Sequence, residues 1–194
     1  MHVELEWKFE ATPGLLEMIK EAFPGEYRTI TMETTYFDTP ERDLSTRKWT
    51  LRHRLENGEG VTTLKTPAEG QGRNEYEAKA ETLLKGVGQL LDQGAPKELG
   101  TWTRAAAPIC GAVFTREAVE LEFSGTVVEL ALDQGKLRSG DGMRERLFAE
   151  AEVEFKSGDE LVAGAFAKGL AARYGMTPQP LSKFARALRL SEGR

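Results

Sequence analysis

Residues 3–10 read Val-Glu-Leu-Glu-Trp-Lys-Phe-Glu, and this stretch decides the fold. Apolar side chains occupy every odd position and charged side chains every even one. Because successive side chains of a strand point to opposite faces, the alternation predicts a β-strand with one apolar and one charged face. Thr12 and Pro13 then predict the N-cap and first residue of a helix, which Pro24-Gly25 ends.

Strand-like segments recur along the rest of the sequence. We expect further strands at residues 27–38, 48–56, 60–66, 73–80, 112–123, 126–133 and 143–156. We expect helices at residues 81–93 and 159–174 and after Pro180, turns at residues 57–58, 124–125 and 133–135, and an irregular stretch at 94–110. There is no βαβ alternation, repeat or linker. The pattern predicts a single α+β domain over residues 1–194, mainly antiparallel β, with a barrel or strongly curved sheet and helices packed outside.

Bulk composition narrows the class of protein. The net charge of −5 argues against a general nucleic-acid or membrane binder. One cysteine, Cys110 in the proline-containing irregular stretch, excludes an internal disulfide, and no apolar run approaches a membrane span of about 20 residues. We therefore expect a cytoplasmic protein. With only His2 and His53, and with no P-loop motif, a His-rich zinc site, a Ser-His-Asp triad and a P-loop are all disfavoured.

Charged residues share a face in several of the predicted strands. Arg52 and Arg54 share one face, and Glu150, Glu152 and Glu154 share another. An ordinary half-exposed sheet turns such faces to water, and the pattern alone favours that interpretation. Like charges packed this closely repel each other, however, and helices outside the sheet would leave the charged faces inside. An enclosed charged face is costly unless its charges pair or bind ligands.

The residue types on these faces suit a polyphosphate and a metal. Arginine and lysine bind phosphate oxygens, and clustered carboxylates bind Mg²⁺ or Mn²⁺. His53 alternates with the two arginines, so we expect it on the opposite face. Lys156, at the end of its strand, is expected to be exposed to solvent.

An ordered series of motifs resembles the CYTH, or triphosphate tunnel metalloenzyme, superfamily. Glu4-Leu5-Glu6-Trp7-Lys8 resembles its Glu-x-Glu-x-Lys opening. The later matches are Thr35-Tyr36-Phe37-Asp38-Thr39-Pro40, Leu51-Arg52-His53-Arg54, Thr63-Leu64-Lys65, Arg73-Asn74-Glu75-Tyr76-Glu77, Thr115-Arg116, residues 128–135, residues 150–159 and Leu181-Ser182-Lys183-Phe184-Ala185-Arg186. The Asp-Gln-Gly and Leu-Ser-Lys motifs look most like the bacterial inorganic triphosphatases.

The resemblance implies an eight-stranded antiparallel barrel, closed into a tunnel, that hydrolyses inorganic triphosphate to pyrophosphate and phosphate. It implies Mg²⁺ or Mn²⁺ as cofactor and a small-molecule triphosphate as substrate, in a monomer or homodimer with no nucleic-acid or membrane partner. By this resemblance the catalytic residues are Lys8, Glu4, Glu6 and Glu154. The metal ligands are Glu4, Glu6, Asp133, Glu150, Glu152 and Glu154. The substrate-binding residues are Lys8, Arg52, Arg54, Lys65, Arg73, Arg116 and Lys183, with Glu75, Glu77 and Glu129 as tunnel support.

Two other functions are compatible with the same motifs. One is a different enzyme of this superfamily, a class IV adenylyl cyclase or a thiamine or nucleoside triphosphatase, which needs a binding site for the organic group. The other is a non-catalytic polyphosphate-binding module, which would keep the basic residues but not need the metal carboxylates. The presence of Glu-x-Glu in both the first and the late strand favours catalysis.

Overall fold

The computed structural model describes residues 5–68 and 73–193, and these residues contain nine strands and six helices. The strands are β1 (Glu6–Glu10), β2 (Arg28–Asp38), β3 (Thr50–Glu56), β4 (Glu59–Pro67), β5 (Arg73–Lys79), β6 (Ala107–Phe123), β7 (Thr126–Ser139), β8 (Glu145–Ser157) and β9 (Thr177–Pro178). The helices are α1 (Pro13–Ala22), α2 (Asp43–Thr46), α3 (Leu83–Asp92), α4 (Glu98–Ala105), α5 (Glu160–Tyr174) and α6 (Lys183–Ser191). Among the described residues, no helix has the length and apolar character needed to cross a membrane.

All the strands belong to one antiparallel sheet in the order β5-β4-β3-β2-β6-β7-β8-β1-β9. The predicted α+β class is correct, but the prediction of an eight-stranded closed barrel is wrong, because closure requires every strand to pair on both sides. Within the described ranges β5 pairs only with β4, and β9 pairs only with β1, so the sheet keeps two edges. Alternation determines which side chains share a face, and it carries no information on whether the edge strands meet.

The sheet is strongly curved. Lys8 on β1 and Lys65 on β4 lie six strands apart in the sheet, yet both line the same pocket. In a flat sheet these two strands would lie about 29 Å apart, at about 4.8 Å per strand. The face that carries the charged side chains is therefore the concave one.

Helices cover the apolar, convex face, as the alternation predicts. Helices α1 and α5 pack against β1, β7 and β8 around a core that includes Phe9, Ile19 and Leu130. Helix α3 packs on β4 and β5, and α4 packs against α3 and β2, around a second core in which Leu64 and Leu90 are fully buried. The apolar side chains of these strands point towards the helices, so the charged side chains of the same strands point to the opposite, concave face.

Helix α6 differs from the other helices because it packs on the concave face. The side chain of Ser182 caps it by accepting a hydrogen bond from the backbone N–H of Ala185 at 3.1 Å. The Phe184 ring lies 5.0 Å from the ring of Tyr36 on β2, and Ala187 joins the same apolar cluster. This packing brings the first turn of α6 to the charged side of the sheet.

The two-residue turns predicted at residues 57–58 and 124–125 are confirmed. Asn57-Gly58 has φ values of 50° and 88°, and Ser124-Gly125 has 51° and 71°, as two-residue hairpin turns require. The turn predicted at residues 133–135 is wrong, since β7 continues to Ser139. Gly135 allows the close approach to β6 at this point, because a Cβ there would lie 2.2 Å from the carbonyl oxygen of Val113.

Cys110 also differs from its predicted setting. It lies within β6 rather than in a loop, and it is buried in the cluster beneath α6. Burial raises the pKa of its thiol to about 12, so the thiol stays protonated at neutral pH.

Candidate active site

A pocket on the concave face collects side chains from seven strands and the start of α6. We call it the charged pocket, and its volume is about 130 Å³. It is lined by Glu6, Lys8, Thr34, Tyr36, Thr50, Arg52, Arg54, Lys65, Arg73, Phe114, Arg116, Glu152, Glu154, Ser182, Lys183 and Phe184. Seven of these described residues are basic and three are acidic, so the lining has an excess of positive charge. A compact polyanion is the ligand that complements such a pocket.

Arg52 and Arg54 contribute guanidinium groups whose hydrogen bonds are incompletely satisfied. Arg52 lies 3.7 Å from Glu75, while Arg54 pairs with Glu56 and lies 3.9 Å from Glu77. The Nε atoms of both arginines are buried and find no hydrogen-bond acceptor in the described part of the chain. Burial lowers the pKa of Arg54, and the neighbouring charge of Arg52 lowers it further. Anionic oxygens would relieve both effects.

Lys65 and Arg73 form the adjoining wall on β4 and β5. The Lys65 ammonium lies 3.5 Å from Glu75. Arg73 donates hydrogen bonds to the backbone carbonyls of Lys48, at 2.6 Å, and Lys65, at 3.1 Å, and to the hydroxyl of Thr50, at 3.2 Å. Arg73 therefore ties the edge strand β5 to its neighbours while its side chain lines the pocket.

Three glutamates form a row across β7, β8 and β1. Glu154 lies directly opposite Glu129 on one neighbouring strand and opposite Glu6 on the other. Lys8 donates to Glu6 at 2.6 Å, and Lys156 lies 2.9 Å from Glu154 and 3.8 Å from Glu129. Since like charges directly opposite each other destabilise a sheet, this row depends on cations. The predicted exposure of Lys156 is wrong, because it is half-buried among these carboxylates.

A second group of carboxylates, which we call the buried cluster, consists of Asp133, Glu150 and Glu152. Their oxygens lie within 4.8 Å of one another. Arg116 donates from Nε and Nη2 to the two oxygens of Asp133, each at 2.7 Å, and also pairs with Glu152. Lys183 Nζ lies 2.6 Å from Asp133 and 2.9 Å from Glu152, and it contacts Glu150 as well.

The charges of the buried cluster hold one another in place. Burial raises the pKa of Glu150, which pairs with both Lys183 and Arg186. Burial also opposes the charge on Glu152, but Lys183 and Arg116 outweigh it and lower its pKa well below the usual range. Conversely, the surrounding carboxylates overcome burial and raise the pKa values of Lys183 and Arg116. Three cations thus balance three carboxylates.

The carboxylates that face the charged pocket fit a hard divalent cation. Mg²⁺ and Mn²⁺ take oxygen ligands, commonly one or two carboxylates together with phosphate oxygens and water. Glu6, Glu152 and Glu154 line the pocket, and the direct opposition of Glu6 and Glu154 leaves like charges that a cation would stabilise. In the buried cluster a metal would have to displace the ammonium of Lys183.

The structure brings most of the predicted site residues together. Those that line the charged pocket are Glu6, Lys8, Arg52, Arg54, Lys65, Arg73, Arg116, Glu152, Glu154 and Lys183. Asp133 and Glu150 lie in the buried cluster, Glu75 and Glu77 lie beside Arg52 and Arg54, and Glu129 belongs to the glutamate row. Glu4 lies outside the described residues. The chemical roles assigned to all these residues stay predictions.

Sequence reasoning missed the aromatic part of the lining and Arg186. Tyr36 and Phe114 face the pocket from β2 and β6. Phe114 shares strand parity with Arg116, which would have indicated its position, whereas no site residue was predicted on the strand of Tyr36. Arg186 follows Lys183 by three residues, which places both on one side of a helix. The prediction for His53 is confirmed: it lies outside the pocket lining, with its Nδ1 2.9 Å from the hydroxyl of Thr62.

Comparisons with known proteins identify the family and support the fold. A family model described as CYTH domain matches residues 2–188. An inorganic triphosphatase of Haemophilus influenzae is 30% identical over 145 residues, which cover 69% of this chain but only 38% of that protein. A putative adenylyl cyclase from Hippeastrum, described as having a dominant triphosphatase activity, is 20% identical with a TM-score of 0.67 over 98% of this chain and 96% of its own. A Pyrococcus horikoshii protein is 22% identical with a TM-score of 0.61, over 98% and 99%.

Proposed function

The chain belongs to the CYTH domain family, and from that premise we propose that it hydrolyses inorganic triphosphate to pyrophosphate and phosphate with a divalent metal. The observation that carries this proposal is the charge of the pocket. Seven basic side chains converge on about 130 Å³ of space against three carboxylates. Two of the arginines, Arg52 and Arg54, keep buried Nε groups without acceptors among the described residues. A linear triphosphate supplies several closely spaced anionic oxygens.

Two relatives support the choice of reaction. The Haemophilus influenzae protein is an inorganic triphosphatase, and the Hippeastrum protein is described by its triphosphatase activity. The first supports the substrate, although this chain spans only 38% of that protein's length. The second shares the fold at low identity and supports it more weakly.

The basic residues bind and orient the phosphate chain in the proposed reaction. Arg52 and Arg54 offer planar donor groups to phosphate oxygens on one wall, and Lys65 offers a point charge beside them. Lys183 and Arg116 approach from the opposite wall. Held between these walls, the terminal phosphorus would be presented in a fixed direction, which is most of what phosphoryl transfer requires of a protein.

The acidic wall supplies the groups that control water. A divalent cation held by Glu6, Glu152 and Glu154 would neutralise charge on the transferring phosphoryl group. Lys8 hydrogen-bonds to Glu6 at the edge of this group, where it can orient the water. The water oxygen forms a bond to the terminal phosphorus, the bridging P–O bond breaks, and pyrophosphate leaves. The proton of the water passes to solvent or to a phosphate oxygen.

A substrate panel tests this proposal. Tripolyphosphate, ATP, thiamine triphosphate and long-chain polyphosphate would each be incubated with Mg²⁺ or Mn²⁺, and release of phosphate and cyclic AMP would be measured. The proposal expects the highest kcat/KM for tripolyphosphate and loss of turnover in EDTA. Cyclic AMP as the main product from ATP would reject it. Tight binding of tripolyphosphate without turnover would support a binding module instead.

A second pocket favours one alternative, a triphosphatase for substrates with an organic ring. It has a volume of about 380 Å³, and apolar groups dominate its surface. Trp49 and Pro67 line it, and it shares Thr50, Arg73 and Phe184 with the charged pocket. A ring placed there would lie next to the bound phosphates. In the same panel, a higher kcat/KM for ATP or thiamine triphosphate, lost in Trp49→Ala, would favour this alternative.

A further inference from the structure

Arg186 lies next to the charged pocket without lining it. Its side chain is 13% exposed, and its guanidinium pairs with Glu150, whose side chain is fully buried. Lys183, one turn earlier on α6, contacts the other oxygen of the same carboxylate. The Phe148 ring lies 5.2 Å from the Arg186 guanidinium and 5.6 Å from the Lys183 ammonium, so it packs against both cations.

The three cations around the buried cluster, Arg116, Lys183 and Arg186, do not all contact the same carboxylates. Arg116 pairs with Asp133 and Glu152, whereas Lys183 contacts all three carboxylates. In the described part of the chain, Glu150 forms ion pairs only with Lys183 and Arg186. If Arg186 were neutral, Lys183 alone would have to compensate a carboxylate that no water reaches. A buried charge that loses its partner is strongly destabilised, so this demand on Lys183 would be large.

Lys183 also lines the charged pocket, where the proposed function requires it to bind phosphate oxygens. An ammonium group held tightly by a buried carboxylate is less available to phosphate oxygens. We propose that Arg186 is a positioning residue that neutralises Glu150 and so leaves Lys183 available to bind the triphosphate. Its role in substrate binding rests on the proposed function, whereas its effect on the position of Lys183 does not.

The kinetic test uses Arg186→Gln, with Arg189→Gln as a matched control on the same helix, where Arg189 is exposed. Arg186→Gln is expected to raise KM for tripolyphosphate about 10-fold, the effect of weakening one charge-assisted hydrogen bond, with little change in kcat. Arg186→Lys keeps the charge and is expected to recover most of the loss. A fall in kcat at unchanged KM, equal in both Arg186 variants, would indicate a merely structural role and overturn the proposal.

Two double variants separate positioning from general destabilisation. Glu150→Gln removes the charge that Arg186 compensates, so Arg186→Gln/Glu150→Gln is expected to have a lower KM than Arg186→Gln alone. Arg186→Gln added to Lys183→Gln is expected to cause little further loss, because both changes act through the same ammonium group. Additive effects in both double variants would contradict the proposal.

A structural measurement decides the matter without any assumption about activity. In a crystal structure of Arg186→Gln, we expect Lys183 Nζ to keep its contact with Glu150 and to have moved away from Asp133 and Glu152. An unchanged Lys183 would overturn the inference whether or not the protein hydrolyses triphosphates. Conversely, wild-type protein that fails to hydrolyse tripolyphosphate, together with a displaced Lys183, would reject the proposed function and retain the positioning role.

Discussion

The two walls of the charged pocket differ in how well their charges are paired. On the β3–β4–β5 wall, Arg52 and Lys65 lie 3.7 and 3.5 Å from Glu75, and buried guanidinium nitrogens remain unsatisfied. On the β6–β7–β8–α6 wall, Arg116 and Lys183 lie 2.6–2.7 Å from Asp133. Both walls come from the same alternation in sequence. The comparison teaches that the first wall, which we call the incomplete wall, pairs Arg52 and Lys65 only at long distances, while the second holds its cations at short distances from buried carboxylates. Even on the second wall, Arg186 Nε and Glu150 Oε1 lack hydrogen-bond partners among the described residues.

The largest expected effect is a difference in stability between the two walls. Arg116→Met removes the guanidinium from Asp133 and Glu152, and we expect the free energy of unfolding to fall by about 3–5 kcal/mol, as for other broken buried ion pairs. Arg54→Met relieves repulsion from Arg52 and should cost far less. Chemical denaturation of both variants, without ligand, measures the difference. Equal losses would mean that the two walls are equally well paired.

The second effect concerns the row of glutamates on β7, β8 and β1. We expect Glu154→Gln to lower metal-dependent turnover of tripolyphosphate by roughly 100-fold, because a group that stabilises charge in the transition state is lost. Glu33→Gln, which neutralises a mostly exposed glutamate of β2, is the matched control and should be nearly silent. Steady-state kinetics at saturating Mg²⁺ or Mn²⁺ would show this, and near-normal turnover in Glu154→Gln would remove Glu154 from the metal site.

A smaller effect is expected from shortening the arginine on the incomplete wall. Arg54→Lys keeps the charge but loses the planar fork, and we expect kcat/KM for tripolyphosphate to fall about 10-fold. Arg104→Lys, on the exposed side of α4, is the control. If Arg54→Lys matched wild type, charge alone would explain the role of this wall.

Much of this arrangement was predictable from local sequence rules. Strand parity showed that Arg52 and Arg54 share one face of their strand and that Glu152 and Glu154 share one face of theirs. The family resemblance, and not parity, predicted that these faces are enclosed. Glycine and asparagine marked the hairpin turns. These features depend on residues close together in the chain, so local sequence patterns predict them.

The remaining features depend on contacts between distant segments. Whether β5 meets the opposite edge of the sheet is not encoded in alternation, so the closed barrel was predicted wrongly. The turn at residues 133–135 was also wrong, since pairing with β6 and β8 carries β7 through Gly135. Arg186 was missed because its partner, Glu150, lies 36 residues away. An ion pair of this kind appears only when strands and helix are packed.

The smallest effect on activity is expected for His53, which lies on the convex face and provides a control for substitutions in both walls. It sits on the same strand as Arg52 and Arg54 but accepts or donates to Thr62 on the outer side. We expect His53→Ala to leave kcat/KM for tripolyphosphate close to wild type. A large loss would mean that β3 does not divide its side chains between the two faces as the structure shows.

The pH dependence of stability gives His53 a measurable signature. Burial lowers its pKa below the ordinary value of 6.5, so the unfolded chain binds a proton more readily than the folded one. The protein should therefore become more stable as the pH is raised through the interval just below 6.5, and less stable as the pH is lowered through the same interval. Denaturation midpoints measured between pH 5 and pH 7, in wild type and His53→Ala, should differ in slope only in that interval. Identical slopes would show that the imidazole titrates equally in both states, and hence that the convex face over β3 is open to water.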